Sequence, residues 1–383
     1  MRFVDEFRDP ALAAPIVRDI AAMLEGAGRT AERPVKIMEV CGGHTHAIFR
    51  FGIEELLPPG IELVHGPGCP VCVLPTGRID DAIALAETPG VILATYGDVV
   101  RVPGSKKSLL RAKAEGADVR IVYSPADALS LAQELPEKQI VFLAIGFETT
   151  APPTALTLLD AEREQIGNFS ILCHHITVVP ALRALLDAPR MVLDGFLGPG
   201  HVSVVIGMEP YRVIAERYGK PVVISGFEPL DVLQALRMVV KQVVEGRAEV
   251  ENQYARLVGK RGNPVAWGAV MEVFEETADR EWRGLGTIPR SGLALRPRFS
   301  RFDAFGRFRV PGERVGDHKA CQCGEVLQGV IKPPECKVFG TACTPETPIG
   351  ACMVSGEGAC AAYFNHGRAG AARRLPVTEG RDG

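Results

Sequence analysis

The chain has 383 residues, 46% of them hydrophobic and 23% charged, with a formal net charge of −3. That length exceeds what one hydrophobic core usually serves, so two or three domains are expected, and the hydrophobic share excludes a disordered chain. The near balance of charge lacks the concentrated basic surface that displaces counterions from nucleic acid, which leaves proteins or small molecules as partners.

The opening residues, MRFVDEFRDPALAAPIVRDIAAML, place Asp5, Glu6 and Asp9 ahead of an apolar stripe, which predicts an amphipathic helix and not a secretory signal. No window approaches about eighteen consecutive apolar residues, so no membrane span is expected and the protein is assigned to the cytoplasm. Short β-branched runs then alternate with helical stretches, the pattern of parallel strands joined by crossover helices. A first α/β lobe over residues 1–138 carries KIMEV, IELV and GVILAT. A second over 139–246 carries IVFLAI, FSILC, MVLDGFL and PVVIS and closes in an amphipathic helix beginning near Pro229. Residues 247–383 read as a helical connector, rich in Arg, Pro and Gly and wrapped on the surface as far as His318, then a cysteine-rich domain; the stretch after Gly367 reads as a frayed tail. The expected fold class is α/β, with two Rossmann-like parallel-sheet lobes and a C-terminal iron-sulfur domain.

The lobes echo each other. One strand runs into CGGHT at Cys41 and another into GFETT at Gly146; GPGC at Gly66 matches GPGH at Gly198, 132 residues on, and TYGD at Thr95 matches GFEP at Gly226, 131 residues on. These matches fit an internal duplication, and equally two independent sheets with similar turns. In both cases the motifs fall at strand C-terminal ends, where open α/β sheets bind ligands.

Ten cysteines in a reducing compartment point to metal or redox chemistry rather than a disulfide framework. Cys41 follows a strand and precedes Gly42 and Gly43, so its sulfur is expected at a helix N-terminus whose free N–H groups stabilise a thiolate. His44 and His46 lie within reach of the same turn, and a thiolate there could hold iron, copper(I) or zinc. The plainer alternative is a buried cysteine beside two surface histidines. Cys69 and Cys72 form Cys-Pro-Val-Cys, a spacing that permits a disulfide or a shared metal; redox or transient metal handling ranks ahead of structural zinc, because no second Cys-x-x-Cys occurs. Cys321, Cys323, Cys336, Cys343, Cys352 and Cys360 crowd one glycine- and proline-rich block, where four thiolates suffice for a 4Fe-4S cluster and the remaining two stay free. A six-thiol zinc site or unpaired core cysteines are the alternatives.

Glu148 in GFETT and Asp98 in TYGD stand at predicted strand ends, where carboxylates orient ligands or move protons, or simply cap turns. Cys173, His174, His175 and His201 read as packing residues more readily than as ligands. Gly104-Ser-Lys-Lys-Ser108 lacks the glycine spacing of a phosphate loop.

Together, CGGHTH at Cys41, GPGCPVC at Gly66, GFETT at Gly146, GPGHVS at Gly198 and CTPETPIGACMVSGEGACAA at Cys343 resemble the HypD family of hydrogenase maturation factors over nearly the whole chain. The resemblance implies a scaffold that assembles the iron with cyanide and carbon monoxide ligands used by nickel-iron hydrogenases. Its implied partners are a HypC-type small chaperone and a HypE-type cyanide donor. It implies cluster ligands Cys321, Cys336, Cys343 and Cys360, a spare redox pair Cys323 and Cys352, Cys41 as the transient iron ligand, and Cys69 with Cys72 as the dithiol. His44 and Glu148 complete the expected catalytic group. Competing classes are a stand-alone disulfide reductase of the ferredoxin-thioredoxin reductase kind and a zinc-stabilised binding module.

Overall fold

Parallel pairing dominates the computed structural model, which describes residues 5–188 and 192–367. The expected tail after Gly367, and Met191 of the expected strand MVLDGFL, lie outside those residues. In chain order the strands are β1 (Val35–Glu39), β2 (Ile61–His65), β3 (Val91–Thr95), β4 (Val119–Ile121), β5 (Gln139–Gly146), β6 (Phe169–His175), β7 (Gly195–Pro199), β8 (Val222–Ser225) and β9 (Val250–Asn252). They form a five-stranded sheet in the order β2-β1-β7-β8-β9 and a four-stranded sheet in the order β4-β3-β5-β6. Every pairing within these two sheets is parallel. Such pairing needs a long return connection, and helices such as Thr76–Ala86 and Ala151–Arg163 supply it. The α/β class with two parallel-sheet lobes holds.

The sheets are not consecutive stretches of chain. β1 pairs with β2 on one side and with β7, from far along the sequence, on the other. The expected boundary at 138 falls between β4 and β5 of a single sheet, and β9 lies beyond the boundary at 246. The echoing motifs are likewise interleaved: the turns GPGC and GPGH follow β2 and end β7, which flank the same central strand.

Both sheets bury both faces, as their unbroken apolar runs require. Helices Pro10–Gly26 and Pro229–Val244 cover the outer face of the first sheet through Ile20, Leu24, Leu233 and Val240, and Phe142, Phe169 and Leu158 build the outer core of the second. The inner faces meet in one core that joins Met38 and Phe196 to Leu143 and Leu172, and Cys72 and Cys352 pack into it.

The connector contains more strand than expected. β10 (Phe274–Glu276) pairs with β13 (Leu293–Leu295), and β11 (Asp279–Trp282) pairs with β12 (Gly286–Pro289), all antiparallel. The hairpin part is not a surface wrap, for Trp282 is 1% exposed, with its Nε1–H donating to Ser291 Oγ at 2.8 Å, whereas residues 309–318 do run mostly exposed over the surface. Arg283 N–H reaches Val73 O at 2.7 Å, which ties this hairpin to the turn after Cys72. Among the described residues no helix is long and apolar enough to cross a membrane.

Candidate functional site

Cys41 leaves the end of β1 in an extended conformation (φ −151°, ψ 125°) and stands at the N-cap of helix Gly42–Arg50. The glycines beside it are required by approach, not by left-handed backbone. A side chain on Gly42 would run into Glu357 of the cysteine-rich block, and one on Gly43 would come within 2.9 Å of the Phe227 ring. Gly68 is tighter still, because a Cβ there would collide with the backbone of Val40 and Cys41. The Gly42 N–H donates to Gly68 O at 3.2 Å. The turn carrying Cys69 and Cys72 is therefore laid directly on the backbone of Cys41.

The expectation of a stabilised thiolate at Cys41 is overturned in the free chain. Burial pushes this thiol up to about 12, and the carboxylates of Glu357 and Glu39 add to the rise. The N–H groups of Gly43 and His44 pull the other way, as the helix N-terminus argument supposed, but they are outweighed. Glu39 itself is fully buried; it accepts from Cys41 N–H at 3.0 Å and contacts His65 Nδ1 at 2.8 Å and the Thr45 hydroxyl.

His44 is buried, not a surface histidine. Its Nε2 contacts the carbonyls of Ser225 at 3.2 Å and Gly226 at 3.0 Å, so Nε2 carries the proton, and Nδ1 is left a lone pair without a hydrogen-bond partner. Burial lowers its pKa, which keeps the ring neutral. The ring stacks on Phe227 at 4.7 Å, and Phe227 stacks in turn on His201 at 3.9 Å. His46 is edge-on to His366 and acts on Glu357, the carboxylate beside Gly42.

Cys69 and Cys72 are joined as a disulfide with Cα atoms 5.2 Å apart, and both are buried. A cleft of about 520 Å³ gives access to Cys69 between Tyr96, Asp98, Tyr123 and Glu357. Ser355 Oγ donates to Asp98 at 2.9 Å and Arg101 Nη2 to Val354 O at 2.8 Å, so the loop before Cys360 is bonded to the turn after β3. Helix Ala359–His366 packs on helix Gly42–Arg50 through Tyr363 and Phe49, whose rings lie 5.1 Å apart. Glu148 is buried; its Oε1 accepts from Val178 N–H at 3.0 Å while Oε2 has no partner, and burial pushes the carboxyl up to about 7.

In the cysteine-rich block the Cys323 sulfur makes contacts with Cys321, Cys352 and Cys360, and Cys352 also meets Cys360. The bond with Cys323 holds Cys321 down at about 7 against its own burial. Gly350 leaves room for the Cys321 and Cys323 sulfurs, and Cys343 accepts from Ile349 N–H at 3.4 Å. Soft thiols gathered in a glycine-rich wrap suit an iron-sulfur centre. Among the described residues no group of three or more His, Cys, Asp or Glu stands ready-made as a metal cage.

Cys173 donates to Leu293 O at 3.4 Å and His175 bonds Thr154 at 3.0 Å, which makes both packing residues. Lys107 is engaged by Glu87 and Glu115, so the Gly104–Ser108 turn is a charged loop. Sequence reasoning missed Glu39 and Glu357. The available signal for Glu39 was an acid inside the apolar run KIMEV; Glu357 gave none beyond its place among glycines.

Comparison with known proteins bears on this geometry. The family model HypD, described as the hydrogenase formation hypA family, matches residues 13–367. The chain is 56% identical over 376 residues to the hydrogenase maturation factor HypD of Rhodobacter capsulatus, covering 97% of this chain and 100% of that protein. It is 54% identical to the protein of the same name from Cupriavidus necator and 52% identical to that from Escherichia coli K12, in each case over 96% of this chain and 98% of the relative.

Proposed function

Since the chain belongs to the HypD family and so serves hydrogenase maturation, we propose that it is the cytoplasmic scaffold on which the iron centre of a nickel-iron hydrogenase receives its cyanide and carbon monoxide ligands. One observation carries this reading: a lone thiol, Cys41, a dithiol turn, Cys69 and Cys72, and the loop leading to Cys360 are packed against one another through Gly42 and Gly68. Iron is the cargo. Cys41 would be its ligand from this chain, shared with a HypC-type chaperone, while a HypE-type donor brings cyanide.

The chain's own residues prepare that step. In the free protein Cys41 is held as the thiol, so loading breaks its S–H bond, forms an S–Fe bond and releases the proton to nearby carboxylate or solvent. His44, neutral and clamped by two carbonyls, braces the turn. Reduction of the Cys69–Cys72 disulfide consumes two electrons and two protons, and Glu148, protonated near neutrality, is poised to hold one such proton. Cys321, Cys336, Cys343 and Cys360 would hold a 4Fe-4S cluster, which would supply electrons when bound; the contact between Cys323 and Cys352 suits a spare redox pair.

The bridged pair Cys69–Cys72 also favours a second reading, an iron-sulfur disulfide reductase acting on a protein partner. Anaerobic co-purification with the small chaperone, followed by iron counting and infrared spectroscopy, separates the two. The scaffold gives cyanide and carbonyl stretches that vanish in Cys41→Ala; a complex without such bands, or with full bands in Cys41→Ala, removes Cys41 as the anchor.

A further inference from the structure

Against the dithiol turn lies a second, smaller cavity of about 180 Å³, bounded by Pro70, Arg78, His174, Ile176, Arg280 and Arg314. It opens to solvent past Asp279 and Arg314, and several of its inner polar groups lack partners. His174 is 4% exposed, and its Nε2 has no hydrogen-bond partner. Arg280 is half-buried; Nη2 donates to Leu293 O at 2.7 Å, Nε has no partner, and among the described residues it makes no direct ion pair. Arg78 is compensated by Asp81 at 2.9 Å, yet its Nε too is unpartnered. Buried guanidinium groups are normally paired, because desolvating an unpaired charge is costly. Here Asp303 acts on the Arg280 guanidinium without a direct ion pair, and the cavity lies against the same group.

We propose that this cavity is a binding site for a small monovalent oxyanion of the carboxylate type, held by Arg280 with His174 and Arg78. The charge follows from the lining: three guanidinium groups, Arg78, Arg280 and Arg314, face the cavity, and Asp279 and Glu281, which also line it, oppose a second negative charge. The shape follows from the guanidinium, whose planar pair of N–H groups matches a carboxylate. The size follows from the volume, which is below the roughly 300 Å³ at which drug-sized ligand pockets begin and so too small for a nucleotide. Burial, with Arg280 and Arg78 nearby, holds His174 well below the ordinary histidine range, so its ring is a neutral hydrogen-bonding group and not a second cation. Pro70 lies between Cys69 and Cys72, so a bound anion would touch the dithiol turn.

Acetate is the probe. The purified full-length protein is titrated with sodium acetate against sodium chloride at constant ionic strength, by calorimetry and by thermal unfolding. A saturable, single-site response to acetate is expected, and sulfate should bind more weakly despite its larger charge. Arg280→Met should weaken acetate by at least roughly ten-fold while still giving a single cooperative melt in chloride. Arg280→Lys, which retains the charge, should also weaken acetate by losing the paired N–H contact. No saturable response in the wild-type protein, or unchanged affinity in these variants, overturns the site; tighter binding of sulfate overturns the assignment of a single charge.

Discussion

Replacing Glu148 with Gln tests the electrostatics of the turn after β5 without disturbing its shape. The carboxyl is 3% exposed, and burial raises it from its ordinary 4.5 to about 7. Between those values the unfolded chain gives up a proton that the folded chain retains. Stability therefore falls as pH rises through this window and stays lower above it. At about 1.4 kcal/mol per pH unit the loss amounts to roughly 3 kcal/mol. Gln keeps an acceptor oxygen for Val178 N–H and cannot ionise. Glu148→Gln should match the wild type near pH 4 and exceed it by roughly 3 kcal/mol above about pH 8, as read from urea unfolding of both proteins across that range. A difference that is the same at every pH would show that the carboxyl is not held protonated by burial, and with it would go the proposed use of Glu148 as a proton holder.

Cys41→Ser should abolish the infrared bands of the chaperone complex nearly as fully as Ala, because a hydroxyl is a harder, weaker donor to low-spin iron; His44→Ala should leave a larger share of band intensity. Gly68→Ala drives a methyl group into the Cys41 backbone and should cost about 1–3 kcal/mol by thermal unfolding, with the bands weakened as well; a neutral outcome would contradict the close approach of the two turns. Ala at any one of Cys321, Cys336, Cys343 or Cys360 should bleach an anaerobic brown preparation, and Ala at Cys323 or Cys352 should spare it. Since Cys323 meets Cys321, Cys352 and Cys360, bleaching by Cys323→Ala with colour retained in Cys336→Ala would reassign the ligands to the thiols that already touch.

By itself the sequence determined the strands that are long and apolar, since KIMEV, IELV, GVILAT, IVFLAI, FSILC and PVVIS all lie in β1, β2, β3, β5, β6 or β8. It also determined that Cys41, Cys69 and the residues after Gly146 stand at strand C-terminal ends, and that the Pro229 helix is amphipathic, because local periodicity and turn chemistry are written in neighbouring residues. The three-residue strands β4 and β9 carry too few positions for a period to register, and MVLDGFL resolved into a strand only from Gly195. Which strands share a sheet was decided by the tertiary structure alone: β1 chooses β7 through hydrogen bonds and face packing between residues about 160 apart in sequence, and no local pattern encodes that choice. The same holds for the site. A helix N-terminus at Cys41 is legible from Cys-Gly-Gly, but the carboxylates of Glu39 and Glu357 and the burial that together raise its thiol arrive from packing, and a pKa is a property of everything within a few ångströms, not of the motif.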